Sequence, residues 1–127
     1  MNTQETVENI QGILAHLWMI RTFLKHADEI QNNEEMLEVP RTLFDFIRAS
    51  EPAYLRQDWP DFFHRLRGKL PRLKKTNAYY QANYKTSSDH TNFQMAALSL
   101  NQAVVSLTAL LEKPPAPHQD QSAPPGP

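Results

Sequence analysis

Histidines, carboxylates and a run of cations are the side chains in this sequence that could do chemistry, and their spacing restricts what that chemistry could be. His16, His26, His64 and His90 have the donor atoms for a metal or a proton relay. A di-metal helical centre needs a Glu-x-x-His pair on each of two helices. The sequence has the reverse order at His26-x-x-Glu29, a Glu-x-x-Glu at Glu35 and Glu38, and no His-x-x-x-His. Neither a metal nor a cofactor is expected. None of the 127 residues is cysteine, which excludes disulfides, thiolate zinc sites, iron–sulfur clusters and thiol nucleophiles. The three glycines, Gly12, Gly68 and Gly126, make no phosphate-cradling loop. No nucleophile elbow supports a Ser-His-Asp triad.

The cations are unevenly placed. Thirteen Lys+Arg face fourteen Asp+Glu, a formal charge of −1, so bulk attraction to a polyanion is disfavoured. Yet Phe62–Ser88 holds no acid and seven cations, while His26–Asp61 holds nine acids and three cations. Arg65, Arg67, Lys69, Arg72, Lys74 and Lys75 are the candidate nucleic-acid contacts in this run. Tyr79 is placed to stack on a base. The same cations would also be neutralised if their helix lay across acidic neighbours.

Arg21 and His26 are separated by four residues, Thr22-Phe23-Leu24-Lys25. This spacing resembles the R-x4-H motif of HEPN-domain ribonucleases, which are small helical bundles and often dimeric. The resemblance implies RNA cleavage, with Arg21 binding phosphate and His26 acting in acid–base chemistry. It covers six residues. Thr22 stands where the family usually has a strongly polar residue, and the motif lies early in the chain rather than late.

The elements that would carry these residues are all helical by period. Val7, Ile10, Leu14, Leu17 and Leu24 predict a helix over about 4–30, with an Asn2/Glu5 capping box. Gln31–Val39 reads as an acidic connector. Pro40 then opens a second helix over about 41–57, broken near Glu51-Pro52, whose inward side is Leu43, Phe44, Ile47, Tyr54 and Leu55. Trp59, Phe63, Leu66, Leu70, Leu73, Asn77, Tyr80 and Tyr84 form a 4-3-4-3 seam that continues through Pro71. Phe93, Ala97, Leu100, Val104, Leu107 and Leu111 form another, capped by Asp89 or Thr91. Six prolines in the last fourteen residues predict a disordered tail over 114–127. The expectation is an all-α fold, an antiparallel up-and-down four-helix bundle over 1–113 with a short irregular second helix.

Two expectations concern sites. Arg21 and Asn77 interrupt their seams and should meet in one polar layer. Arg21, His26, Arg41, His90 and Asn92 are the candidate ligand-binding residues, most of them at the end of the bundle where two helices start. There Arg41→Ala or His90→Ala should leave stability nearly unchanged yet weaken ligand or partner binding. The N-terminus is polar and lacks the basic-then-apolar pattern of a secretory signal. The most apolar stretch by inspection, Ile13–Leu24, falls short of the roughly 20 residues a bilayer requires. A cytoplasmic, non-enzymatic binding module is expected, acting by protein contact or self-association, without a membrane. The alternative is an RNA- or phosphate-directed protein using the basic third helix.

Overall fold

The computed structural model describes residues 1–112, and all regular elements there are helices: α1 Thr3–His26, α2 Asp28–Gln31, α3 Glu34–Ala49, α4 Glu51–Leu55, α5 Trp59–Ser87 and α6 Thr91–Glu112. The class is all-α. The expected Pro-rich tail lies outside the described residues. α1 packs against α3 and α6, and α5 packs against the same two helices, so the long elements enclose one core.

α1 begins as its capping box dictates. The Asn2 side chain accepts the Glu5 N–H at 2.8 Å, and the Glu5 carboxylate accepts the Asn2 N–H at 3.1 Å. It ends earlier than its periodicity predicts, at an extended Ala27 with ψ 126°. The cause is Ile30. In an unbroken helix Ile30 would sit six residues, about 120° of turn, away from the seam residue Leu24 and would face water. The break turns it into the core, where it is fully buried.

The expected connector over 31–39 is instead the start of a helix. Asn33 caps α3 by accepting the Met36 N–H at 3.1 Å, and Glu34 and Glu35 supply acidic charge in its first turn. Pro40 therefore lies inside α3 rather than at its start. An interior proline costs roughly 3 kcal/mol through its missing N–H and steric clash. Burial of Met36 and Val39 ahead of it, continued by Leu43 and Phe46, offsets that cost. This 3-4-3 seam also corrects the inward face. Leu43 is inside as expected, but Phe44 and Ile47 are only half-buried, and Tyr54 and Leu55 are exposed. The chain does break at Ser50, the residue between α3 and α4.

α4 closes with paired backbone bonds, Asp58 N–H to the Ala53 carbonyl at 2.9 Å and Gln57 N–H to the Tyr54 carbonyl at 3.0 Å. This is a Schellman motif, and it places Gln57 at φ +59°, where glycine is favoured. Asp58 then caps α5 by accepting the Asp61 N–H at 3.1 Å. α5 continues without interruption through Pro71, as its seam predicts.

Polar side chains tie α5 to α6. The Asn77 amide donates to the Asn101 side-chain oxygen at 3.0 Å, and Gln81 donates to Asn77 and to the Ala97 carbonyl. The buried Tyr80 hydroxyl donates to the Phe93 carbonyl at 2.9 Å. Burial pushes its pKa up, so it stays a donor. Asn77 thus fixes α5 against α6, not against Arg21.

Candidate functional site

The five expected ligand-binding residues divide between two pockets. Arg21 and Arg41 line an open pocket of about 430 Å³ between α1 and α3, with Lys25, Phe44 and Asp45. His26, His90 and Asn92 line another of about 450 Å³ between α1 and α6, with Phe23 and Glu29. Helix geometry explains the division. Five residues subtend about 500°, so Arg21 and His26 project about 140° apart. The R-x4-H pair consequently does not converge on one pocket.

Three of these side chains, Arg21, Arg41 and His90, have local partners. The Arg21 guanidinium lies 4.4 Å from the Trp18 ring centroid and 5.1 Å from that of Phe44. Cation–π attraction and the flat apolar floor hold it at the edge of the core. Ile20, not Arg21, fills the seam position between Leu17 and Leu24, so the expected Arg21–Asn77 layer does not form. Arg41 bonds Glu38 at 2.8 Å and approaches Glu34 at 3.7 Å. The hydrogen bond to Glu38 raises its pKa above the ordinary arginine value. His90 is the cap of α6: its Nδ1 accepts the Asn92 N–H at 3.0 Å, and its own N–H is held by the Ser88 hydroxyl. Asp89 and Thr91 were the expected caps. The imidazole displaces them because it reaches the second N–H of the helix from the position just before it.

Three of the seven cations in the basic run of α5 approach a carboxylate. Arg65 meets Asp61 at 3.3 Å, Arg72 approaches Glu38 at 4.0 Å, and Lys74 meets Glu112 at 2.7 Å. Arg67 lies over the Phe63 ring at 5.7 Å. Lys69 and Lys75 have no ion-pair partner among the described residues. At the start of α5, Asp61 also receives Arg56 at 2.9 Å. Hydrogen bonds from Arg56 and then Arg65 hold its carboxyl below the usual carboxylate range. That contribution to stability is complete above the unfolded carboxylate value and is lost as pH falls through the lower folded value. Among the described residues, no three His, Asp or Glu side chains are grouped to hold a metal ion.

The surface that sequence reasoning missed is the outer face of α6. From Thr91 to Leu111 this helix carries no Asp, Glu, Lys or Arg. Its inner face buries Phe93, Ala96, Ala97, Leu100, Ala103, Val104, Leu107 and Leu111. Its outer face exposes Met95 at 50%, Leu98 at 61% and Val105 at 54%. Those residues fall at 95, 98 and 105, with Gln102 between, a 3-4-3 stripe opposite the core. The signal was available: apolar residues remain after the seam is assigned, on a helix without charge. By length and composition α6 is long and apolar enough to cross a membrane, unlike the stretch 13–24, yet its other face is packed in the core. The other exposed large apolar residues are Met1, Met19 on α1 and the adjacent Tyr54 and Leu55 on α4, none of which forms a stripe along a helix.

No family model matches this chain, and neither a curated protein nor a solved structure matches it.

Proposed function

We propose that this chain is a non-enzymatic helical binding module whose working surface is the outer face of α6, and that its occupant is an uncharged helix face of a protein. The observation that carries the reading is the stripe Met95, Leu98, Val105, held half-exposed on a helix without charge for 21 residues. Water is a poor partner for such a surface, and burying it against another apolar face is favourable by about 25 cal/mol per Å². Heptad-like 3-4-3 spacing suits a helix as the opposing element.

In this reading the fold is an antiparallel up-and-down four-helix bundle, with α2 and α4 as short joints. The ring of pairings α1–α3–α5–α6 supports it. So does the descending register between α5 and α6, in which Tyr80 reaches Phe93 and Asn77 reaches Asn101. The chain would act in an aqueous compartment, the cytoplasm in this proposal. Carboxylates meet Arg65 and Lys74 and lie 4.0 Å from Arg72; the remaining cations of the run leave the RNA- or phosphate-directed alternative as the second reading.

The test places a photoreactive benzoylphenylalanine at position 98, and separately at position 69 on α5, in cells producing the chain. Protein adducts from position 98 that Val105→Lys abolishes, with few from position 69, are the expected result. Equal adducts from both positions, or none from 98, would contradict the reading.

A further inference from the structure

We propose that the pocket between α1 and α3 binds a small aromatic carboxylate, with the Arg21 guanidinium as the group that receives the acid. The pocket is separate from the outer face of α6, and the inference stands independently of the reading of that face.

Arg21 is the first reason. Its guanidinium lies over the rings of Trp18 and Phe44, 4.4 and 5.1 Å from their centroids. The rings engage the cation through their faces, which leaves its N–H donors unused. Among the described residues Arg21 makes no hydrogen bond and no ion pair. An arginine already held by two rings loses less freedom when a ligand arrives than one free in solvent. Its planar fork of N–H groups matches the two oxygens of a carboxylate.

Charge is the second reason. Arg21, Lys25, Arg41 and Asp45 all line the pocket. Arg41 is met by Glu38 and Glu34. Lys25 and Asp45, like Arg21, have no ion pair among the described residues. Two cations against one carboxylate leave a single positive charge without a counterpart. A monoanion balances it, whereas a phosphate monoester, at about −1.5 to −2 near pH 7, exceeds it.

The walls are the third reason. Leu37, Pro40 and Phe44 line the pocket beside these charges. Pro40 is buried, and Leu37 and Phe44 are half-buried. Pro40 has no backbone N–H to donate, so this wall offers contact rather than hydrogen bonds at that position. Phe44 serves both parts of a ligand: it lies beneath Arg21 and also faces the cavity. A flat apolar body can pack on this wall while its acid meets Arg21. Gln31 donates to the Lys25 carbonyl and so fixes the rim where α2 follows α1. The volume of about 430 Å³ falls within the roughly 300–1,000 Å³ of small-molecule sites, which combine apolar walls with a few converging polar groups.

The probe is 2-naphthoate. Its controls are 2-naphthamide, the same body without charge, and inorganic phosphate, charge without the body. NMR of the isotope-labelled full chain reads the Trp18 indole N–H and the Arg21 Nε–H. Both signals should shift saturably with 2-naphthoate, at a dissociation constant of about 1 mM for a ligand of this size. The amide and phosphate should each bind at least roughly tenfold more weakly. Arg21→Gln should weaken 2-naphthoate about tenfold, read at Trp18, and Lys25→Gln about threefold. Lys25 is exposed, so its variant tests the site even if Arg21→Gln is misfolded by circular dichroism. Lys69→Gln on α5 should change nothing. Equal binding of 2-naphthamide would mean apolar adhesion alone, and equal binding of phosphate would mean charge alone; either overturns the proposal. So would the absence of saturable shifts up to about 10 mM, or shifts confined to Met95, Leu98 and Val105. None of these results alters the photoadducts expected from position 98, so the two readings fail separately.

Discussion

Gln57 is the residue at which this chain departs most clearly from local preference. It occupies the left-handed region at φ +59° because the joint between α4 and α5 is closed by a Schellman motif. A side chain there costs roughly 1–2 kcal/mol relative to glycine, partly offset by the greater freedom glycine has when unfolded. Gln57→Gly should raise stability by about 1 kcal/mol, read as a higher urea midpoint at unchanged slope. His90 makes the complementary case. It caps α6 through Nδ1, so His90→Ala should lower stability by about 1 kcal/mol rather than leave it nearly unchanged as the sequence alone predicts, while His90→Asp should restore it. Equal stability of parent and His90→Ala would contradict the cap. The Asn2/Glu5 box was legible because it uses residue types that caps prefer. The His90 cap was not, because histidine carries no such preference and only its placement beside Ser88 and Asn92 shows the role.

Among the elements, the two interior prolines show where periodicity can be trusted. The seam of α5 runs on both sides of Pro71 at unbroken spacing, and the helix follows it. Pro40 carried a competing signal as a helix opener, and that obscured Met36 and Val39 upstream, which belong to the same seam as Leu43 and Phe46. The end of α1 was illegible for a different reason. The Gln31 amide donates to the Lys25 carbonyl at this helix end, but no residue type there announces a stop; burial of Ile30 comes with the break. Gly68 offers a test of α5 as a rigid element. A Cβ at Gly68 would meet nothing within 4 Å, and helical alanine is favoured over glycine by about 1 kcal/mol. Gly68→Ala should therefore raise the thermal midpoint. A lower midpoint would show that glycine is needed beside Pro71 to shape the helix.

At the scale of the whole molecule, the all-α class and most core residues of α1, α5 and α6 were legible, because a 3.6-residue period is a property of the chain itself. The candidate site was not. Arg21 and His26 are near in sequence yet project toward α3 and α6, and the basic run of α5 reaches Glu38 and Glu112 only once the helices are assembled, although the Asp61–Arg65 pair is an i,i+4 spacing within α5. Assembly also leaves the uncharged outer face of α6 exposed, and the central claim is that this face closes on protein. Benzoylphenylalanine at position 98, beside the same group at position 69 on α5, tests it most directly in cells producing the chain. Position 98 should give protein adducts that Val105→Lys, folded by circular dichroism, abolishes, while position 69 gives few. Equal adducts from both positions, or none from 98, would contradict the account.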